Sequence, residues 1–319
     1  MLGLCASAVS QAQAIVGRTA GAASVSATGA AQYAVPLAVP PGTNGLAPEL
    51  AIVYDHRSGN GLLGVGFRLA GFSAIRRCGR TIAQDGAAAA VGLDAQDRLC
   101  LDGQRLRLTS GAYGQQGSQY QTEAESFARV TAFGIAGTGP AWFQVERRDG
   151  LVYQYGATND SRVESQGSTT AREWALNRIR DRSGNYVDFV YTEDAASGSY
   201  RPARVDYTGN ATVGSAPYYS IRFTYEARAA GDLGSGYVGG GLVQEGYRLA
   251  RIDTQHTSGT VLRSYILTYD NAGPSSRSRL ARLQECAGSA CLAPTSFTWV
   301  RSSAGMGPRR STGPRCGTA

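Results

Sequence analysis

The run WALNRIRDRSGNYVDFVY, Trp174 to Tyr191, constrains this chain more than any other. Apolar residues alternate on both sides of DRSGN: Trp174, Leu176 and, after a slip, Ile179 before it, then Val187, Phe189 and Tyr191 after it. A period of two places alternate side chains on one face of a strand, and a cluster of Asp, Ser, Gly and Asn reverses the chain. The run predicts a β-hairpin with Asp181, Gly184 and Asn185 as its turn residues. Looser copies follow: ARVDYTGN answered by YYSIRFTY, RLARIDTQHTSG by VLRSYILTY, and RLARLQECAGSAC by PTSFTWV. Upstream, WFQVERRDGLVYQYG predicts a hairpin with Asp149 and Gly150 at its tip. An isolated hairpin is marginal in water, so each must bury a face against its neighbours. Their unequal lengths exclude a regular solenoid. The expected fold class is all-β, with successive antiparallel hairpins forming a curved, shell-like sheet.

The stretch SGNGLLG sets a competing expectation, because Gly59-Asn60-Gly61-Leu62-Leu63-Gly64 matches the G-x-G-x-x-G dinucleotide fingerprint literally. That site needs a helix opening at the third glycine, whose amides meet the pyrophosphate. Here Gly66 and Gly71 follow, with Val65, Phe67 and Leu69 alternating between them. Each interior glycine costs a helix about 1 kcal/mol against alanine, and the alternation has the period of a strand. Gly59, Asn60, Gly61 and Gly64 therefore read as turn residues of a first hairpin, its glycines supplying positive φ or close strand approach. No cofactor is expected.

Composition fits short strands and tight turns: 42 Gly and 17 Tyr in 319 residues, with 17% charged. The formal net charge is +7, and every basic residue is an arginine. The arginines are scattered among acids and apolar residues instead of being concentrated on one element, which argues against a nucleic-acid partner. Residues 1–24 read as a signal-peptide remnant and flexible leader: Leu2–Val9 is apolar, and Ala12-Gln13-Ala14 has the small-x-small form of a cleavage site. No later segment has the roughly 18 apolar residues of a membrane helix. The chain is expected to be secreted and extracellular, with a cytoplasmic stage before export. Of six cysteines, Cys286 with Cys291 and Cys78 with Cys100 are the expected disulfide pairs; their spacing matches no zinc signature. Residues 25–300 form the expected β domain, its hairpins clearest in 142–299. Residues 301–319 form a Pro/Arg/Gly/Ser tail, expected to be disordered and to mark a frameshift or truncation. The small and proline-rich residues between leader and first strand are expected to run over the surface or form an edge.

Catalytic constellations are thin. A serine hydrolase would have to use His56 or His256, and no G-x-S-x-G elbow occurs. Asp94, Asp97 and Asp102 lack the spacing of a calcium loop and read as turn residues. Glu123 and Glu125, which would share a face of an alternating strand, read as a solvated face, and the recurring tyrosines as cross-strand pairs. No catalytic residue and no metal ligand is expected.

The residues YAVPLAVPPGTNGLAPELAIVYDHRSGNGLLGVGFRLAGFSAIRRCGRTIAQDG, followed by DRLCLDGQRL, resemble the opening domain of the Salmonella virulence plasmid B protein family. The same domain opens the B component of insecticidal toxin complexes. The resemblance runs from about Tyr33 to Trp299, and the hairpins also resemble Rhs/YD-repeat proteins. It implies a non-enzymatic structural role: contributing to a β-rich shell that encloses and delivers a toxic polypeptide. The implied partners are later propeller and Rhs-like repeat domains, in the same chain or a partner toxin-complex chain, together with the toxin cargo. In the virulence plasmid protein this domain precedes an ADP-ribosyltransferase. Glu123-Ala124-Glu125 has the E-x-E form of such enzymes, but Ser168–Thr170, the only STT, follows instead of preceding it. Activity is therefore not carried over. The alternatives are an extracellular module binding glycan or protein and, behind it, the N-terminal part of an ADP-ribosylating toxin.

Overall fold

In the computed structural model, which describes residues 17–271 and 276–299, the alternating segments are strands. Strands β1 (Ala22–Val25), β2 (Ala31–Pro36) and β3 (Ala51–Asp55) pair in order. Two short strands, β4 (Asn60–Gly61) and β5 (Gly64–Val65), fold on each other, and β6 (Phe67–Ala70) returns to complete a four-stranded sheet. The glycine-rich stretch is thus strand and turn, with no helix at Gly64.

The chain continues through β7 (Ala74–Cys78), the short helix α1 (Ile82–Asp85), β8 (Arg98–Leu101), β9 (Gln104–Ser110), β10 (Gln119–Thr122), β11 (Arg129–Phe133), β12 (Trp142–Glu146) and β13 (Val152–Tyr155). Each of these strands pairs with the next. After β14 (Arg162–Glu164) comes β15 (Ala171–Arg180), which pairs with both β13 and β7 and so closes the strands into a barrel. Trp174, fully buried, holds this closure: its backbone pairs with Ile75, and its indole N–H donates to the Pro140 carbonyl at 3.1 Å.

From β15 the sheet runs on through the hairpin repeats. Strands β16 (Asn185–Asp194), β17 (Ser199–Asn210) and β18 (Tyr219–Ala227) pair in order, and β19 (Gly234–Val238) with β20 (Gly241–Glu245) makes a separate ribbon. Strands β21 (Tyr247–His256), β22 (Val261–Asp270) and β23 (Arg279–Ala287) follow, and β24 (Ala290–Cys291) and β25 (Thr295–Ser296) fold back on β23.

The repeat is one of hydrogen bonding as well as of pattern. Tyr191, Tyr225 and Tyr269 each stand at a register shift in a return strand. Their hydroxyls donate to the carbonyls of Leu176 (2.7 Å), Pro202 (2.7 Å) and Leu249 (2.5 Å). Trp299 fills the same place in the last copy, donating to Leu280 at 2.9 Å. Each acceptor opens an equivalent tetrapeptide: Leu176-Asn-Arg-Ile, Pro202-Ala-Arg-Val, Leu249-Ala-Arg-Ile and Leu280-Ala-Arg-Leu. A phenol placed in a core needs such a partner, and the sheet supplies one per repeat.

The N-terminal segment forms an edge, as expected, with β1 exposed at the side of its sheet. Its proline-rich stretch is more than a surface run: Pro36, Ala38 and Pro41 are exposed, but Val35, Leu37 and Leu50 are buried in the core. The backbone polar groups it buries are matched by tyrosines: the Ala38 N–H donates to the Tyr265 hydroxyl at 2.8 Å, and the Tyr207 hydroxyl donates to the Pro40 carbonyl at 3.1 Å. β1 begins at Ala22, before the expected boundary at residue 25. Residues 1–16, with most of the leader, and the tail from residue 300 onward lie outside the described residues, as do Cys5 and Cys316. No helix among the described residues is long and apolar enough to cross a membrane.

Candidate functional site

The turn between β15 and β16 is built around Asp181. Its Oδ1 accepts the backbone amides of Ser183 and Asn185, both at 2.9 Å, and its Oδ2 accepts the Asn185 side-chain amide at 2.7 Å. Burial works against the charge, yet these bonds hold the carboxyl below its ordinary value. Asn185 in turn accepts from Asn210 at 2.8 Å, tying the turn to the end of β17. Gly184 has φ 87°, and a Cβ there would lie 2.1 Å from Thr212 Oγ1. At the tip between β12 and β13, Asp149 accepts the Leu151 amide at 2.8 Å, and Gly150 has φ 80°.

In the first hairpin the conformational demand falls unevenly. Gly64 has φ 80°, and a Cβ would come within 2.4 Å of the Ser278 carbonyl. Gly59 and Gly61 have no positive φ; a Cβ at Gly61 would meet nothing closer than the Phe67 carbonyl at 3.7 Å, and one at Gly59 nothing within 4 Å. The expectation of positive φ or close approach therefore holds for Gly64 and is corrected for Gly59 and Gly61. Sequence alone could not separate them, because the neighbour that crowds Gly64 is more than two hundred residues away.

Asn60 belongs to a buried node that sequence reasoning missed. Its amide donates to Asp232 Oδ1 at 3.0 Å, and its carbonyl accepts from Arg228 at 3.3 Å. The Arg228 guanidinium also meets Asp232 at 3.0 Å, the Tyr247 carbonyl at 2.8 Å and the Gly61 carbonyl. Asp232 accepts the Ser278 amide at 2.8 Å and its hydroxyl. Arg228 and Asp232 side chains are 1% and 0% exposed. The node pins the first hairpin, the β18–β21 connection and the entry to β23 together. The one signal in the sequence is an Asp four residues after an Arg, too common to notice.

A cavity of about 490 Å³ lies where the barrel meets the N-terminal segment, lined among others by Glu49, Phe72, Ser73, Asp102, Arg147 and Tyr153. Several of its polar groups are held by neighbouring groups. Asp102 accepts the Ala74 amide at 3.0 Å and the Ser73 hydroxyl at 2.7 Å, Ser73 meets the Tyr155 hydroxyl at 2.9 Å, and Arg147 lies over the Tyr153 ring at 4.2 Å. Burial pushes Tyr155 up to about 12, so it stays a neutral hydrogen-bonding group. This arrangement locks two layers together.

The other candidates are dispersed. Neither histidine lines the cavity: His56 accepts the Ala31 amide at 3.0 Å, and His256 lies 2.9 Å from the Ser258 hydroxyl. Glu123 and Glu125 are not on a strand; both are exposed in the connection after β10, bonded to Gln84 and to the Phe127 amide. Asp97 accepts the amides of Gly92 and Asp94 and pairs with Arg77 at 3.2 Å, away from Asp102. No cluster among the described residues has the composition of a metal site. Cys78 and Cys100 join adjacent strands β7 and β8, and Cys286 and Cys291 face each other across β23 and β24.

Comparison with known proteins bears on the whole architecture. The family model of the Salmonella virulence plasmid 65kDa B protein matches residues 25–232. No curated protein matches the sequence. Among solved structures, the TcdB2-TccC3 crystal structure superposes with a TM-score of 0.71 at 17% identity, covering 93% of this chain and 17% of that one. The N-terminal domain of the effector protein SpvB from Salmonella typhimurium strain LT2 gives 0.65 at 19% identity, covering 79% of this chain and 98% of that domain. A Tc holotoxin pore of Photorhabdus luminescens gives 0.66 at 18% identity over 84% of this chain and 15% of that one. The barrel and hairpin sheet are thus a shared fold, which occupies a small part of the toxin-complex chains and nearly all of the effector domain. With more than half its length matched by the family model, the chain belongs to the Salmonella virulence plasmid 65kDa B protein family.

Proposed function

We propose that this chain is a non-enzymatic structural domain of a secreted toxin-complex or Rhs-like protein, forming part of the wall of a β-rich shell around a toxic polypeptide. The observation that carries the reading is the barrel that continues, without a break in pairing, into a sheet of repeated hairpins. Such a sheet grows by adding copies, and the superposition on TcdB2-TccC3 covers only 17% of that chain. A domain of this size supplies wall and leaves enclosure to further repeats. Its partners would be later propeller and Rhs-like repeat domains and the cargo, in an extracellular setting. In the cavity of about 490 Å³, Asp102, Ser73 and Tyr153 are held by neighbouring groups, which supports an architectural role.

The test is to read the gene beyond codon 299 in all three frames and to co-express this chain with the polypeptide found there. Propeller-type and hairpin repeats, co-purification and shielding of the cargo from protease are expected. Saturable glycan binding by the chain alone, with no such repeats downstream, would favour the extracellular binding module. NAD-dependent labelling of a target protein would favour the ADP-ribosylating reading, and none is expected.

A further inference from the structure

Each completed hairpin of the repeat is covered by the strand that follows it. Tyr191 pairs with Pro202, Tyr225 with Leu249 and Tyr269 with Leu280. The residue opposite each aromatic is therefore the one that opens Pro-Ala-Arg-Val, Leu-Ala-Arg-Ile or Leu-Ala-Arg-Leu. Beneath that cover, the residue two before each tyrosine is buried: Phe189 is 3%, Phe223 7% and Leu267 6% exposed.

The fourth hairpin has the same parts, Phe297 and Trp299, but among the described residues no strand pairs with the outer side of β25. Both rings are only half-buried. With Tyr33, Tyr54 and Phe67 they line an open groove of about 440 Å³. A parallel bridge between Arg18 and Ala293 ends before β25. The Phe297 amide is given to the Ala281 carbonyl of β23. By antiparallel alternation the amides of Ser296 and Thr298 then point away from β23, and both residues are exposed. Outward amides beside a half-covered aromatic row make a template for strand addition.

We propose that β25 accepts one further antiparallel strand of the form (Leu/Pro)-(Ala/Asn)-Arg-(Ile/Val/Leu), registered with its first residue opposite Trp299. The occupant is a strand of a partner polypeptide that carries this tetrapeptide, which residues 300–319 do not contain. The inference deepens the scaffold reading and rests on it: the strand is the next piece of wall.

A synthetic peptide with the sequence of Tyr247–His256, which already covers β18 in this way, is the probe. It is titrated against the full chain by fluorescence anisotropy, with amide exchange followed at Ser296 and Thr298. Saturable binding below about 1 mM and slowed exchange at both amides are expected. Thr298→Pro removes an outward amide while leaving the Phe297–Ala281 bond in place, so it should abolish binding at an unchanged melting temperature. Absence of saturable binding, equal binding of a scrambled peptide, or binding that survives Thr298→Pro would overturn the proposal. So would a dimer of the chain that Thr298→Pro dissolves, because the occupant would then be a second copy. Co-purification with the downstream polypeptide is measured separately, so failure of this strand leaves the scaffold reading to stand or fall on its own.

Discussion

The indole N–H of Trp299 donates to the carbonyl of Leu280 at 2.9 Å, in the place where the Tyr191 hydroxyl donates to Leu176 at 2.7 Å. Two residues of different chemistry thus close equivalent hairpins of one sheet. Tyr191→Phe should cost about 1–2 kcal/mol, since a buried bond is lost with little change of shape. Tyr186→Phe, on the same strand but outside this pattern, should be near neutral. Urea midpoints at constant m-value would separate the two.

Gly64 and Gly61 should respond differently to the same side chain. Gly64→Val meets both a positive φ and the Ser278 carbonyl, and should cost about 3 kcal/mol or prevent folding. Gly61→Val places its Cβ in ordinary contact, 3.7 Å from the Phe67 carbonyl, with no positive φ, and should cost less than about 1 kcal/mol. Thermal melts of the two purified variants decide it, and a stable Gly64→Val protein would remove the crowding argument.

Removing one partner of the Arg228–Asp232 pair should be costly, because the other charge stays buried. Arg228→Met is expected to lose about 3–5 kcal/mol by denaturant titration. A loss below about 1 kcal/mol would show that the node is not a fixed point of the fold.

Stability should fall between about pH 4.5 and pH 7 through Glu164. Burial, then the neighbouring Glu193, raises its carboxyl from 4.5 to about 7, against the partial relief of Arg162 at 3.8 Å. Below 4.5 the group is protonated in both states. As pH rises the unfolded chain releases its proton first, so folding loses free energy until the folded group also ionises near 7. Glu164→Gln should flatten that part of the melting-temperature profile; an unchanged slope would exclude the pair as its source.

The two cysteine pairs should contribute unequally. Cys78 and Cys100 are separated by 22 residues, Cys286 and Cys291 by 5. Loop-closure entropy gives about 3.4 kcal/mol for the longer loop and about 2 kcal/mol for the shorter. Double serine variants of each pair, compared by denaturant titration, test the order.

Sequence by itself determined what is local in this protein. Alternation from Trp174 to Tyr191 and the Asp-Gly-Asn turn chemistry specify a hairpin, because side-chain period and turn geometry are set within a few residues. The copies through Phe297 and Trp299 were legible for the same reason, and so was the strand character that excluded a nucleotide cradle at Gly64. Only the tertiary structure decided how the hairpins close. The pairing of Ile75 with Trp174 that shuts the barrel joins segments about a hundred residues apart, and nothing local marks either as the other's partner. The proline-rich stretch around Ala38 and Pro40 is tied to the sheet because distant tyrosines satisfy its backbone, while Gly64 became irreplaceable because Ser278 packs against it. Hydrogen-bond satisfaction and steric exclusion at long range depend on which surfaces meet, and a pattern of residue types does not record that.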